Sequence, residues 1–185
     1  MAAAHDPADA LARARRVALL VCDVDGVLTD GRLYIGAQGE AMKAFDVRDG
    51  HGIKLLREAG IEVAILTARS SEIVARRAAE LGLTRVLQGQ SDKGAGFTQL
   101  LADTGIAADR CAYIGDDWPD LPCLARAGFA ATVADACDEA RAIAHWITPA
   151  AGGRGAVRQL AEFILRAQGK YGDLLRKHTA GVLHG

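Results

Sequence analysis

The sequence predicts an α/β fold in which a central parallel sheet lies between two layers of helices. Short runs rich in β-branched residues alternate with longer stretches rich in Ala, Leu and Arg. Such alternation is typical of strand–helix–strand units, whose strands run parallel and whose helices cover both faces of the sheet. Glycines also follow several of the longer stretches, where a helix often ends in a left-handed residue.

The individual elements follow from the same pattern. Strands are predicted at residues 17–22, 62–66, 85–87, 111–114, 130–133 and 145–147. Helices are predicted at residues 50–59, 70–81, 94–103, 121–127, 135–144 and 156–168. Ser70 precedes a stretch that carries Glu72, so we expect it to cap the second of these helices.

Residues 31–46 break the alternation and have the pattern of a β-hairpin. Two short β-rich runs, residues 33–35 and 41–45, flank the turn sequence GAQG. Because the hairpin follows the first strand directly, we expect it to overhang that end of the sheet as a flap. Residues 169–185 show little periodicity and are predicted to form a mobile tail.

Composition indicates one domain, residues 1–185, since half of the residues are apolar. The net charge of −1 argues against a nucleic-acid or anionic-membrane partner. No apolar run reaches the roughly 18 residues of a membrane span, and the N-terminus lacks the order of a secretory signal. The four cysteines form no CxxC pair, so we expect reduced thiols and a cytoplasmic protein.

Polar side chains follow the predicted strands at the points where these strands end. Asp23 and Asp25 follow the first strand, Thr67 the second and Asp116 the fourth, while Lys93 begins the helix after the third. Since parallel strands share their carboxyl edge, these groups are expected to converge there. Each alone could be a turn former, a helix cap or a solvated lysine, but the ordered set indicates a functional site.

The chemistry of this set favours phosphoryl transfer. Converging carboxylates repel one another unless a cation lies among them, and oxygen ligands with waters suit Mg²⁺. A metal, a lysine and a hydroxyl together would bind a dianionic phosphoryl group. Positioning and charge neutralisation supply most of the catalysis in such reactions, so the sequence predicts a Mg²⁺-dependent enzyme.

Four motifs resemble those of the haloacid dehalogenase (HAD) superfamily of phosphotransferases: DVDGVLTDG, LTAR, SDKG and GDDWPDLP. The resemblance implies a three-layer, Rossmann-like HAD core. It implies that Asp23 is the nucleophile that forms an aspartyl-phosphate and ligates Mg²⁺. Asp25 would be the general acid/base, and its backbone carbonyl a metal ligand. Thr67 would bond the phosphoryl oxygens, Lys93 would neutralise charge on the nucleophile and phosphate, and Asp116 would ligate Mg²⁺.

The same resemblance narrows the architecture and the reaction. Asp117 and Asp120 would be weaker or indirect metal ligands. An Asp two positions after the nucleophile is typical of the phosphatases in this superfamily, which favours hydrolysis. Neither the segment between the first and second motifs nor the next one has room for a folded cap domain, so we expect a capless core.

A finer resemblance covers almost the whole chain beyond residue 15. The segments KAFDVRDGHGIKLL, ILTARSSEIVARRAAELG and GGRGAVRQL with AQGK are similar to phosphatases of 3-deoxy-D-manno-octulosonate 8-phosphate (KDO 8-phosphate), a lipopolysaccharide precursor. Members of that family are homotetramers in which hairpins form a central barrel and a neighbouring subunit helps to close each site. The resemblance implies that the sugar acid phosphate contacts Asp25, Lys93, Asp46, Val47, Arg48, Asp49, Gly50, Lys54, Arg69 and Arg77.

One position departs from that family, which usually has Asn where this chain has Asp46. An acid beside an anionic substrate is favourable only if it faces sugar hydroxyls or pairs with Arg48. Arg69 and Arg77 could instead belong to a charged helix face. Two further candidates for substrate contact, from a neighbour or a mobile tail, are Arg154 and Lys170.

Three alternatives to this function stay open at the level of sequence. The nearest is a phosphatase of a nine-carbon sugar acid phosphate, such as an N-acylneuraminate 9-phosphate. A signalling receiver domain also forms an aspartyl-phosphate, but the DxDG pair on the first strand, the hairpin and GDD on the fourth strand argue against it. A non-catalytic scaffold is disfavoured because the set of polar groups is intact.

Overall fold

The fold consists of a central sheet of six parallel strands and a separate two-stranded hairpin. The computed structural model describes residues 6–180. The strands are β1 (Leu19–Cys22), β2 (Tyr34–Gly36), β3 (Gly39–Met42), β4 (Glu62–Leu66), β5 (Arg85–Leu87), β6 (Cys111–Ile114), β7 (Phe129–Thr132) and β8 (Trp146–Ile147). The sheet has the order β5-β4-β1-β6-β7-β8, and β2 pairs with β3 in antiparallel fashion.

Eight α-helices surround the sheet within the described residues. They are α1 (Pro7–Ala14), α2 (Val47–Glu58), α3 (Glu72–Glu80), α4 (Lys93–Thr104), α5 (Leu121–Leu124), α6 (Asp138–Ile143), α7 (Ala156–Ala167) and α8 (Tyr171–Thr179). None of the helices between residues 6 and 180 is both long and apolar enough to cross a membrane. The six parallel strands and the helices around them confirm the predicted α/β fold with a parallel sheet.

Alternation along the buried strands divides the core into two layers. Leu20 and Cys22 of β1 belong to the apolar cluster formed with α1, α2, α3 and α7. Leu19 and Val21 belong to the cluster formed with α4, α5 and α6. Successive side chains of a strand point to opposite faces, so a strand that is apolar at every position must be covered on both.

The order of the strands places a crevice at the carboxyl end of β1. This strand pairs with β4 on one side and with β6 on the other. The chain adds β4 and β5 on one side and then crosses to begin β6 on the opposite side. Ligands of open α/β sheets bind at such a switch point.

Local structure differs from the sequence prediction at several helix starts, and capping residues explain two of them. α2 begins at Val47, one turn earlier than predicted, because the Asp46 carboxylate accepts a hydrogen bond from the Arg48 amide and caps the helix. Ser71, and not Ser70, caps α3, since its hydroxyl accepts from the Val74 amide.

The two ends of the described chain hold helices that the sequence pattern did not predict. α1 starts at Pro7 after the capping residue Asp6. In the predicted tail, α8 packs on α7 and buries Leu174. Residues 181–185 lie outside the described residues, and mobility of the tail stays a prediction.

The segments between the motifs are short, as the capless prediction requires. Among the described residues, the hairpin and α2 lie between β1 and β4. Only α3 and β5 lie between β4 and α4. Neither segment forms a separate folded cap over the carboxyl end of the sheet.

Candidate active site

The turn after β1 carries Asp23 and Asp25 and winds around the carbonyl of Val24. That oxygen accepts hydrogen bonds from the amides of Val27, Leu28 and Thr29, at 3.3, 2.9 and 3.0 Å. Gly26 has φ of +90°, and a Cβ at this position would lie 2.1 Å from Oδ2 of Asp116. Glycine is needed here both for the turn and for the close approach of the second acid.

The GGRG segment packs directly against this turn. A Cβ on Gly152 would lie 1.8 Å from the Gly26 carbonyl oxygen. The Gly153 amide donates to the carbonyl of Val27 at 2.9 Å. Arg154 follows and is mostly exposed, with Nη2 4.0 Å from Oδ2 of Asp30. The glycines thus let the two loops touch, and Arg154 lies beside the turn instead of inside it.

Thr67 and Arg69 come from the loop that follows β4. The Thr67 amide donates to the Leu87 carbonyl at 2.9 Å and so extends the pairing of β4 with β5. Thr67 is buried, whereas the Arg69 side chain is 46% exposed. The loop therefore presents a buried hydroxyl-bearing residue and a more exposed guanidinium to the same edge of the sheet.

Lys93 forms a buried ion-pair triad with two carboxylates. Its Nζ lies 2.8 Å from Oδ1 of Asp23 and 2.7 Å from Oδ1 of Asp120. A cation at the first position of a helix is disfavoured by the helix dipole. The two carboxylates compensate for that position and for the removal of the ammonium from water.

Asp120 organises the acidic side of the site. Besides Lys93, it accepts hydrogen bonds from the Tyr113 hydroxyl at 2.5 Å and from the amides of Asp116 and Asp117 at 3.1 and 3.3 Å. Both of its oxygens are therefore occupied by protein donors. Asp120 thereby orients the loop after β6, and its expected role as a weaker or indirect metal ligand stays a prediction. Sequence reasoning did not single out Tyr113, because its hydroxyl is placed only by the fold.

Three carboxylates are close enough to share one cation. Asp23, Asp116 and Asp120 each offer an oxygen, and these oxygens lie within 4.8 Å of one another. Burial, followed by repulsion from Asp120, raises the pKa of Asp116 to about 7. The same two causes raise the pKa of Asp23, against the attraction of Lys93. A divalent cation would restore charge balance, and the oxygen donors fit Mg²⁺.

Asp25 has a different environment from these acids. Its Oδ1 accepts from Lys43 of the hairpin, and its Oδ2 lies 3.7 Å from Nε of Arg69. Its carboxylate is not a member of the three-acid cluster. The expected metal contact of Asp25, through its backbone carbonyl, stays a prediction.

A cleft of about 290 Å³ joins these groups at the carboxyl edge of the sheet. It is lined by Asp23, Asp25, Gly31, Thr67, Ala68, Arg69, Lys93, Asp116, Asp117, Pro119 and Asp120. The structure thus brings together every residue predicted to act in catalysis or to bind the metal, and one of the predicted substrate-binding arginines.

The hairpin contributes two charged residues that sequence reasoning missed. Lys43 is buried and lies between Asp25 and Glu40, with its Nζ 3.0 Å from Oε1 of Glu40. Glu40 also accepts from the Ser71 hydroxyl and lies 3.7 Å from Nη2 of Arg69. The sequence did contain a signal for them, because Glu40 and Lys43 are charged residues in a short hairpin that follows Asp23 and Asp25 directly.

Asp46 forms an ion pair with Arg48 and does not face the cleft as a free acid. Oδ2 of Asp46 lies 2.7 Å from Nη2 of Arg48, and hydrogen bonding with that guanidinium lowers the pKa of the carboxyl. Nη2 of Arg48 also donates to the carbonyl of Arg154 at 3.0 Å. This is the pairing that makes an acid acceptable at a position where the related family usually has Asn.

Asp49 is buried and caps the start of α7. Its carboxylate accepts from the amides of Gly155 and Arg158 at 3.2 and 2.7 Å. Burial raises its pKa, and the two amides oppose that rise. This contact ties α2 to α7. It therefore explains why the VRDG segment has an acid at this position, even if the acid does not touch the substrate.

The other predicted substrate contacts lie outside the cleft of this chain. Gly50 and Arg77 line a separate small pocket with Phe45, while Val47 and Lys54 are exposed on α2. Their contact with substrate stays a prediction. The Lys170 ammonium donates to the Ala59 carbonyl at 2.9 Å and lies at the opposite end of the sheet, so it does not reach this chain's own cleft.

The fold and the cleft define a hydrolase of the haloacid dehalogenase type. The family description "haloacid dehalogenase-like hydrolase" matches residues 46–128. The 3-deoxy-D-manno-octulosonate 8-phosphate phosphatase KdsC of Yersinia pestis is 48% identical over 88% of this chain and 87% of its own. The chain belongs to the family of KDO 8-phosphate phosphatases.

Solved structures agree with this assignment. The KDO 8-phosphate phosphatase of Moraxella catarrhalis, in complex with magnesium, phosphate and KDO, is 41% identical and has a TM-score of 0.91 over 94% of this chain and 99% of its own. A cobalt-bound phosphatase of the same kind from Haemophilus influenzae is 43% identical, with a TM-score of 0.84 over 86% and 93%.

Proposed function

We propose that the protein is a Mg²⁺-dependent phosphatase that hydrolyses KDO 8-phosphate to KDO and phosphate, within lipopolysaccharide precursor synthesis. The observation that carries this proposal is the buried pair of Asp23 with Lys93 beside the three-acid cluster. The pair lies at the carboxyl end of β1, in a chain that is 48% identical to a KDO 8-phosphate phosphatase. The magnesium, phosphate and KDO bound by the Moraxella relative support the choice of metal and substrate.

In the first half of the reaction, Asp23 attacks phosphorus and the ester P–O bond breaks. The electron pair of that bond goes to the sugar oxygen, which takes a proton from Asp25. Lys93 offsets the negative charge on the phosphoryl group during its transfer, and Thr67 orients this group. A bound Mg²⁺ would supply positive charge that keeps the nearby carboxylates ionised. Asp23, Asp25 and Asp116 would be its protein contacts.

In the second half, a water molecule hydrolyses the aspartyl-phosphate. Asp25, now ionised, accepts a proton from the water as its oxygen bonds to phosphorus, and the bond between phosphorus and Asp23 breaks. Phosphate leaves and Asp23 returns to its initial state. The same carboxyl thus gives a proton to the leaving group and later takes one from water.

Arg69 is the group in the cleft that we propose to bind the substrate carboxylate. Its guanidinium is partly exposed, and its ion-pair contacts with Asp25 and Glu40 are both long, at 3.7 Å. A planar guanidinium can bond a carboxylate through two parallel hydrogen bonds. We propose that Arg77 and residues 46–50 with Lys54 contribute through closure of the site in an assembly.

Comparison of two sugar acid phosphates tests the substrate. We expect kcat/KM for KDO 8-phosphate to exceed that for an N-acylneuraminate 9-phosphate by at least about tenfold, because one mismatch in a fitted pocket costs roughly 1–3 kcal/mol. Phosphate release with both substrates and with p-nitrophenyl phosphate provides the measurement. A preference for the neuraminate ester would support the alternative. Equal turnover of all three would refute the sugar acid assignment.

We also propose a homotetramer in which neighbouring subunits complete each site. The hairpin exposes the apolar side chains of Leu33, Ile35 and Met42, and the adjoining first residue of α2 exposes Val47. Clustered apolar exposure of this kind marks protein interfaces. Such an interface would bring a neighbouring chain close to the cleft, which has no cap of its own.

Sedimentation equilibrium tests the assembly. We expect a particle of four chain masses, and we expect Ile35→Glu combined with Met42→Glu to dissociate it and to raise KM, because buried charges destabilise an apolar interface. Asp109→Asn, far from the hairpin, serves as the control. A monomer with full activity would contradict the proposal.

Finally, we propose that the protein works in the cytoplasm. Its four cysteines are all free thiols, and three of them are buried. Burial raises the pKa of Cys123 to about 12, which keeps this thiol protonated and unreactive. Such cysteines are typical of a reducing compartment.

A further inference from the structure

The hairpin sends one charged side chain inward, toward the acid that gives and takes protons in the proposed function. Within residues 31–46, Lys43 is the one buried residue, and its side chain is only 1% exposed. Its ammonium bonds Oδ1 of Asp25 and lies 3.0 Å from Oε1 of Glu40. The contact with Asp25 joins groups 18 positions apart in the chain.

The packing of the hairpin does not explain this lysine. The other residues of the hairpin are exposed or only partly buried, so Lys43 does not complete an apolar core. Removing an ammonium from water is costly unless it is paired and hydrogen-bonded. Lys43 meets that condition only because Asp25 and Glu40 are both placed to receive it.

Glu40 is itself fixed to the body of the protein. Its Oε2 accepts from the hydroxyl of Ser71, the residue that caps α3. Ser71, Glu40, Lys43 and Asp25 therefore form a continuous chain of contacts from the start of α3 to the cleft. Such a chain fixes the position of the last carboxyl more tightly than a single contact would.

We propose that Lys43 is a positioning residue for Asp25, an inference that rests on the proposed function. By bonding Oδ1, it fixes the plane of the carboxyl and leaves Oδ2 directed toward Arg69 and the cleft, where the leaving oxygen would lie. Lys43 does not contact the reacting atoms. It acts by holding the oxygen of Asp25 that transfers the proton within reach of the leaving group.

Leaving-group dependence distinguishes positioning from a structural role. Phenolate needs a proton more than p-nitrophenolate does, so a misplaced general acid slows phenyl phosphate more. The ratio to measure is kcat/KM for p-nitrophenyl phosphate divided by kcat/KM for phenyl phosphate. We expect Lys43→Met to raise this ratio by about tenfold or more, because general acid catalysis typically contributes a rate factor of roughly 10²–10⁴ and the variant loses part of it. Because kcat/KM covers only steps up to release of the first product, hydrolysis of the aspartyl-phosphate does not obscure the ratio.

Two further variants complete the test. Lys43→Met combined with Glu40→Gln removes the uncompensated carboxylate, so it restores charge balance and carries the test if the single variant does not fold. We expect the ratio to stay raised in this double variant. Lys177→Met, which removes an exposed lysine paired with Glu58 at 3.3 Å, should leave the ratio unchanged.

An equal loss with both aryl esters, or a ratio that returns to the wild-type value in the double variant, would overturn the positioning role. These esters carry neither the sugar nor its carboxylate. A wild-type enzyme that hydrolyses them but not KDO 8-phosphate would therefore refute the substrate and leave the test of Lys43 intact. Absence of all phosphatase activity would overturn both proposals.

Discussion

Replacing Asp23 by Asn is expected to lower kcat by at least about 10⁴-fold, the scale of loss when a covalent nucleophile is removed. An amide cannot attack phosphorus to form an acyl phosphate, and the ion pair with Lys93 is lost as well. Phosphate release from KDO 8-phosphate measures the effect. Acid quench of the wild type should trap a phosphoryl group on the protein that hydroxylamine removes, and Asp23→Asn should trap none.

The fold should survive this substitution. Asn has nearly the same shape, and the buried carboxylate that is removed is destabilised by burial and by repulsion from Asp120, as its raised pKa indicates. Equal thermal transitions of the wild type and Asp23→Asn would therefore separate loss of chemistry from loss of structure. Asp109→Asn, an exposed acid at the other end of the sheet, is the matched control and should keep full turnover.

The trapped species also tests the alternative from another class. A receiver-like protein would accumulate the phosphoryl group on an aspartate and release it slowly, with little turnover. A phosphatase would show repeated turnovers, with Asp25 as the base in the second half. Retained activity in Asp23→Asn would refute the phosphatase mechanism, because Asp23 is its nucleophile.

The strands were predictable because their signal is local. Three of them, Glu62–Leu66, Arg85–Leu87 and Cys111–Ile114, have the bounds that the sequence predicted. Each is a short and mostly apolar run, and each is bounded by charged, turn-forming or capping residues. The convergence of the acids, Thr67 and Lys93 followed from the parallel sheet, since the order of strands fixes which loops meet.

The contacts that sequence reasoning missed depend on docking between distant segments. Asp49 was expected at the substrate, but its carboxylate caps α7, whose first residues lie 106 and 109 positions away. Lys43 reaches Asp25 only because the hairpin folds back over the first turn. α8 was also missed, and Leu174 is its one buried residue. No local periodicity encodes such pairings.

Removal of the metal is expected to reduce turnover to background, and added Mg²⁺ to restore it. Asp23, Asp116 and Asp120 crowd their oxygens within 4.8 Å, and Lys93 is the cation paired with Asp23 and Asp120. Without a metal, the raised pKa values of Asp23 and Asp116 leave these carboxyls partly protonated near neutral pH. A protonated Asp23 is a poor nucleophile. Phosphate release before and after chelation with EDTA measures the effect, and undiminished activity in EDTA would refute it.

Stability provides a second measure of the same site, with a predictable dependence on pH. Because the folded pKa of Asp116, about 7, lies above the unfolded value of 3.8, the folded protein binds more protons between these values. The stability of the metal-free protein should therefore fall as pH rises through this range. Mg²⁺ offsets the charge that then develops, so its increase in Tm should be larger at about pH 8 than at about pH 6. Asp116→Asn should lose most of that increase, whereas Asp109→Asn should keep it, and an equal response in the two variants would place the metal elsewhere.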